Sequence, residues 1–455
     1  MFESAVARRL VERVTGPVLG PDDDGYAAEV AGFNRIVEHS PAIAVGVRDA
    51  LEVREVIDFA AEAVIPVAVQ GTGHGPSTAA EGTGLLLNTR RMTDVSIDPG
   101  ARIARAGAGA QWRHVIEAAA AHGLAPLNGS SPLVGVVGYT LGGGLALMSR
   151  KYGFAADHVT AIEVVTADAR LRIATAEQNE DLFWALRGGK GNFGVVTAIE
   201  FGLVPVTQIY GGGLFFPGEA AADVLHGWRS WVETVPDEMS SSLALMRMPD
   251  MEPIPEFLRG RLVAHVRVLH LGPADEGERL VKPLREVADA MVDTLAEMPY
   301  TRCAEIHNDP TFPIPYHERS VMLRELGDDA AAELLALAGP ESGCVDLAVE
   351  LRHMGGALTR PPAVPNAVDH RDAAFCLSTL ALPGPGARPA QVVEGMAAWT
   401  TGRRYLNFCA GAEMGALAEE GYGADTYARL RDIKTQYDPD NLFRFNHNIP
   451  PRTDA

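Results

Sequence analysis

The stretch Val69-Gln70-Gly71-Thr72-Gly73-His74-Gly75-Pro76-Ser77 decides how the rest of the chain is read. It ends an apolar run, Val64-Ile65-Pro66-Val67-Ala68-Val69, that predicts a buried strand bounded by Pro and Gly. Three glycines within five residues let the backbone take positive φ and approach a ligand with no Cβ in the way. Such a turn can aim several N–H groups at one point and hold an anion. At its centre sits one imidazole, His74. Two readings fit these nine residues alone. One is a surface turn with a solvated histidine. The other is a cradle whose amides hold a cofactor pyrophosphate while His74 touches or bonds to that cofactor.

A second glycine-rich stretch, from Gly129 to Gly144, has six glycines in sixteen positions and no charge. A flexible linker would be polar and Ser-rich. This one carries Leu, Val and Tyr, the pattern of buried backbone packed against a flat ligand. A third run, Gly189-Lys190-Gly191-Asn192-Phe193-Gly194, has the GxGxxG spacing of a dinucleotide fingerprint. That fingerprint needs a strand before it and a helix after it. Here a helical Asp181–Arg187 precedes and a β-rich Val195–Val204 follows, so the match is a decoy.

With 455 residues the chain can hold two or three domains. Its 47% apolar and 22% charged content is that of a soluble globular protein. A net charge of −20 argues against nucleic acid or an anionic membrane as partner. No apolar run approaches the roughly 18–20 residues of a membrane span, and the charged, amphipathic opening is no signal peptide. Cys303, Cys344, Cys376 and Cys409 form no CxxC or Cys/His ligand set. They read as reduced thiols of a cytoplasmic protein, with an isolated disulfide left open, and no metal is expected. His265 and His270 lie five apart on one strand, hence on opposite faces, and are not a metal pair.

Residues 5–14 predict a short helix and 41–45 a strand. Asp49 reads as an N-cap with Glu52 at capping-box spacing, ahead of a face of Val53, Val56, Ile57 and Ala60. Strands and helices alternate through residue 125, an α+β or α/β pattern, and 161–174 reads as a hairpin through Ala167-Asp168-Ala169. Between about 206 and 400, helical runs (219–235, 274–291) alternate with long strands (241–248, 261–270, 345–353, 373–382). That predicts an antiparallel sheet covered by helices. A last amphipathic helix carries Tyr427, Leu430, Ile433 and Tyr437 and stops at Asp438-Pro439.

With these pieces placed, the chain resembles the berberine-bridge-enzyme-like branch of the vanillyl-alcohol oxidase superfamily, whose FAD domain is of the PCMH type. The matching motifs are Gly71-Thr72-Gly73-His74, Ser131-Pro132-Leu133-Val134-Gly135, Leu141-Gly142-Gly143-Gly144, Lys151-Tyr152-Gly153 and Asp181 to Gly189. Gly191 to Thr197, Tyr405-Leu406-Asn407 and the ending from Tyr437 through Phe443 to Asn446 and Asn448 also match. The resemblance implies an α+β fold in which residues 1–205 and 401–455 together form the FAD-binding domain. Residues 206–400 form the inserted substrate domain, where the resemblance is weak. It implies FAD contacts from Gln70, Gly71, Thr72, Gly73, Gly75, Pro76, Ser130, Ser131, Val134, Gly135, Gly138, Gly142, Gly143, Gly194, Val195, Val196, Asn407 and Asn446. The family's histidine in the place of His74 bonds to the flavin 8α carbon. Many plant members add a thioether from a cysteine where Ser131 stands, so one covalent link, through His74, is expected. Val134 stands where the family gates O2. Tyr405 stands where a tyrosine serves as base or orienting hydroxyl, the other reading being a tyrosine packed at the domain seam.

The sequence departs from the family at Tyr139, where many relatives have His, at Gln70, where they have Arg, and at Phe408, the place of a second tyrosine. Tyr139 and Tyr405 are therefore the candidate catalytic hydroxyls. No acidic residue occurs from Ala373 to Leu382, the strand expected to carry a carboxylate base, while Glu350, Arg352 and His353 on the preceding strand compete for the pocket face. The expected function is an FAD oxidase acting on an alcohol, amine or sugar-like small molecule, with O2 as acceptor. A dehydrogenase or cyclising enzyme with another acceptor is the alternative, and a flavin-binding protein without turnover the third. Self-association into a homo-oligomer is left open.

Overall fold

The computed structural model describes residues 9–252 and 254–452; residues 5–8 of the expected first helix lie outside them, and of the rest 9–11 are helical. The segment carrying His74 belongs to a four-stranded sheet in the order Val18–Leu19, Ser40–Gly46, Glu81–Asn88, Val67–Gln70. Its three longer strands are parallel, as the helical crossover Ala50–Ala63 requires. Val53, Val56, Ile57 and Ala60 of that helix are buried, as their spacing predicts. Asp49 caps it, accepting from the Leu51 and Glu52 N–H groups at 2.9 Å. Glu52 does not return to Asp49 as a capping box would. It accepts instead from the Thr15 and Arg48 N–H groups, at 2.8 and 2.9 Å, and so ties down the incoming chain.

A second, five-stranded antiparallel sheet runs Val95–Asp98, Ile103–Gly107, Val195–Gly202, Val159–Val165, Leu171–Ala174. The helix Glu180–Leu186 precedes Val195–Gly202, which confirms the helix–loop–strand order that disqualified the GxGxxG match. The far end of the chain returns to these two sheets. Leu442 O accepts from Val67 N–H at 2.9 Å, and Asn192 Nδ2 donates to His447 O at 3.0 Å. Lys434 and Asp438, both fully buried, pair at 2.6 Å, and Lys434 Nζ also donates to Asn192 O at 2.8 Å.

The middle of the chain builds an antiparallel sheet in the order Val292–Asp293, Gln208–Pro217, Leu262–His270, Met239–Arg247, Ala348–His353, Phe375–Ala381, His317–Leu323, with Ala296–Pro299 also paired to Gln208–Pro217. One face packs Leu214, Leu243, Val266, Leu351 and Leu377 against the helices Ala221–Val232, Ala274–Arg285 and Asp328–Ala338. The side chains pointing the other way form three rows across the strands. His265, Ala244, Glu350, Ser378 and Ser320 make one; Arg267, Ser242, Arg352 and Cys376 make the next. Met246, Ala348, Leu380 and Glu318 make the third.

Candidate active site

The three-row face of the large sheet and the glycine-rich segments of the other two sheets enclose a cavity of about 910 Å³. The turn from Gln70 to Pro76 lines it, with Ser130, Ser131, Val134, Gly135, Gly138 and Tyr139, then Gly194, Val196, Asn407 and Asn446. Gly142, Gly143, Val195 and Tyr405 do not. Val195 is buried in strand core, and a Cβ at Gly142 would collide with Asn407 Oδ1.

The His74 turn is held from both sides. Phe33 and Asn34 N–H groups donate to Thr72 O and Gly73 O, both at 2.9 Å. Gly73 has φ +68° with Gly32 so close that no Cβ could fit between them. From the residue that precedes the edge strand His317–Leu323, Tyr316 OH donates to His74 O at 3.0 Å. The imidazole stacks on Phe33 with centroids 4.1 Å apart. Its Nδ1 lies 2.9 Å from Thr72 Oγ1, which also accepts the Gly135 N–H at 3.1 Å. Nε2 is buried and has no partner. Burial lowers the His74 pKa to about 4, against a weak opposite pull from Asp309. The ring is therefore neutral at pH 7. In the tautomer that donates Nδ1–H to Thr72 Oγ1, Nε2 presents a lone pair.

Tyr405 is buried, and its hydroxyl oxygen accepts from Leu145 N–H at 2.8 Å and from Asn407 Nδ2 at 3.3 Å. Burial pushes its pKa well up. The geometry gives Tyr405 the work of holding Asn407 in place. Asn407 Nδ2 also donates to Tyr139 O at 2.8 Å, and its Oδ1 accepts from Lys190 Nζ at 2.9 Å. Lys190 lines the cavity in a left-handed conformation, φ +59°, and burial lowers its pKa to about 8. Tyr139 OH donates to Leu127 O at 3.3 Å.

Glu350 and Arg352 face the cavity, whereas His353 meets Arg150 Nη1 at 3.0 Å away from it. Glu350 receives Arg267 Nη1 at 2.7 Å and Arg352 Nη2 at 3.0 Å. Burial alone would raise its carboxyl, but Arg352, Arg267 and His307 hold it well below the usual carboxylate range. A carboxylate clamped in this way is a poor base. Glu318, on the edge strand, also lines the cavity, and no side-chain hydrogen bond or ion pair engages it among the described residues. Burial pushes it up to about 8, with Glu350 and Asp309 adding to the rise and Arg352 and Lys190 opposing it. Sequence reasoning passed over Glu318, Arg267 and Lys190. The alternation across Glu318, Ser320 and Met322 against Val321 and Leu323 is the signal that would have found the strand.

These residues fit a flavin. An added Cβ at Gly75, Gly138 or Gly191 meets no atom within 4 Å, so three glycines border open space where a flat ring can approach main chain. His74 Nε2 and the Asn446 side-chain oxygen are orphaned polar atoms on the same cavity.

Comparison with known proteins agrees. Residues 41–175 match the family described as FAD binding domain, and residues 404–450 the family described as berberine and berberine like. The chain is 29% identical to (R)-6-hydroxynicotine oxidase of Paenarthrobacter nicotinovorans, over 96% of this chain and 97% of that protein. The crystal structure of 6-hydroxy-D-nicotine oxidase from Arthrobacter nicotinovorans superposes with a TM-score of 0.82 at 26% identity, covering 96% of this chain and 98% of that one. BBE-like 1 of Physcomitrella patens shares the fold, with a TM-score of 0.85 at 20% identity over 98% of this chain and 99% of that one. The chain thus belongs to the FAD-linked oxidoreductases that join an FAD-binding PCMH-type domain to a berberine-bridge-enzyme-like C-terminal segment.

Proposed function

We propose that the protein is an FAD oxidase that removes a hydride from a carbon bearing an OH or NH group in a small organic substrate and reduces O2 to H2O2. Residues 1–205 and 401–455 form the FAD-binding domain in this reading, and 206–400 the substrate domain. Bound FAD would supply the hydride acceptor and the passage of electrons to O2. The cradle from Gln70 to Pro76, Ser130–Ser131, Gly135, Gly138, Asn407 and Asn446 would hold it.

The observation that carries the reading is His74 Nε2, which is neutral, buried, unpartnered and set on the cavity wall while Thr72 occupies Nδ1. A neutral ring nitrogen of this kind suits covalent attachment to the flavin, and Ser131 lacks the thiol for a second link. The printed name of the 29% identical relative, an oxidase of 6-hydroxynicotine, supports an amine among the candidate substrate classes. The test is the purified protein itself. Acid-precipitated protein stays yellow, His74→Ala releases its flavin on precipitation, and oxygenated turnover of an accepted amine or alcohol yields H2O2. Reduction of the flavin by such a substrate without H2O2 release would convert the reading to a dehydrogenase.

A further inference from the structure

We propose that the substrate half of the cavity is built for an amphipathic organic cation, an amine carried as its ammonium, with Glu318 as counter-ion and the body of the molecule along the apolar row beside it. The proposal rests on the reading of this cavity as the substrate site. Its first support is the register. Met246, Ala348 and Leu380 stand side by side on neighbouring strands, and Glu318 ends their row on the edge strand. An apolar body lying across the three would bring one polar end to the carboxylate.

The second support is how the charges are spent. Arg267 and Arg352 both engage Glu350, and Lys190 donates to Asn407 and to Leu406 O. Glu318 keeps its carboxylate oxygens free, and Asp309, on the same cavity, likewise has no ion pair among the described residues. The carboxylates of this wall that no cation engages directly are therefore Glu318 and Asp309. A neutral oligosaccharide would leave Glu318 without a charged partner, whereas an ammonium would pair with its carboxylate at short range in a low-dielectric pocket.

The third support is the mouth. Met251, Phe257, Phe312 and Leu382 border the cavity and are 53%, 47%, 50% and 41% exposed. Large apolar side chains gathered at a cavity rim mark a binding surface, here one suited to an alkyl or aryl tail.

The groups facing Glu318 are Arg352 and Glu350 from the sheet, Lys190 from the 188–194 loop and Asp309 from the segment before Tyr316. Because burial pushes Glu318 up to about 8, an ammonium that does not itself titrate must displace a proton to pair with it below that pH. Its affinity should rise with pH, by roughly tenfold between pH 7 and pH 9.

The experiment uses the flavin-loaded protein and two probes, tetramethylammonium and n-hexyltrimethylammonium, titrated by calorimetry and by perturbation of the flavin spectrum. The longer probe should bind more tightly by roughly two- to fourfold per added methylene that is buried, with affinity rising from pH 7 to pH 9. Glu318→Gln should keep its flavin, bind the longer probe about tenfold more weakly at pH 9 and lose the pH dependence. Glu318→Asp should retain a pH-dependent preference for the cation. Equal affinity for both probes, a flat pH profile in the unmodified protein, or xylobiose perturbing the flavin more strongly than the longer cation would each overturn the inference. A protein isolated without flavin would instead overturn the proposed function, so the two failures are distinguishable.

Discussion

Replacing Thr72 by valine isolates the contact on which the proposed flavin attachment through His74 would depend. Valine keeps the β-branched shape and substitutes a methyl group for Oγ1. Two contacts disappear, the one to His74 Nδ1 at 2.9 Å and the one from Gly135 N–H at 3.1 Å. Each neutral hydrogen bond contributes about 1 kcal/mol net, and a donor left unsatisfied costs about 1–3 kcal/mol. The expected loss of stability is therefore about 2–3 kcal/mol. The share that acts on the ring is about 1 kcal/mol, which lowers the population presenting Nε2 to the cavity by roughly fivefold. Attachment should slow by the same factor. Apoprotein is mixed with FAD, quenched in acid at intervals, and the flavin in the washed pellet is measured, with denaturant unfolding in parallel. Thr72→Ser, which restores the oxygen, should recover most of the rate. Attachment at the unmodified rate in a Thr72→Val protein of lowered stability would refute the idea that this hydroxyl orients His74.

Val134→Leu should slow reoxidation of chemically reduced protein by O2 on the order of tenfold, about 1.4 kcal/mol of barrier. Unchanged stopped-flow reoxidation would remove Val134, which lines the cavity, as the gate. Lys434→Met should destabilise the protein by about 3–5 kcal/mol, since it strands a fully buried Asp438 carboxylate. A denaturation midpoint within error of the unmodified protein would contradict this. Buried His74 and His370 both have pKa values lowered to about 4, below the unfolded value near 6.5. Their neutral forms contribute stability fully present above about pH 6.5 and lost as pH falls through about 4. His370→Gln should lessen that acid-side loss in a melting series from pH 7 to pH 4.

Much of the flavin side of the cavity was legible in the sequence because its chemistry is local. A ligand approached by main chain needs glycine at the approach, and Gly71, Gly73, Gly75, Gly135 and Gly138 announce it within short runs. All five line the cavity. The decoy at Gly189–Gly194 was rejected on element order alone, and the order holds. Even so, the same segment supplied Lys190, which a fingerprint reading had no means to single out. Its place depends on Asn407, more than two hundred residues away in sequence, as the 2.9 Å contact between them shows.

The substrate side was less legible, and the reason lies in the sheet. A strand with one face on a core and one on solvent reads as apolar alternating with polar. In this sheet the second face meets a cavity, so its residues are mixed by function: Glu318, Ser320 and Met322 on one strand, Ala348, Glu350 and Arg352 on another. The charges there look like solvated surface until the register is known. Once it is known, Glu350 separates from Glu318 through its partners. Two arginines lie within 3.0 Å of Glu350, while none lies that close to Glu318. The two carboxylates occupy neighbouring rows of one face, yet one is held low and the other is pushed up to about 8. Only the second has a proton to exchange near neutral pH, and its position at the end of an apolar row places that exchange where an amine with an apolar body would present its nitrogen.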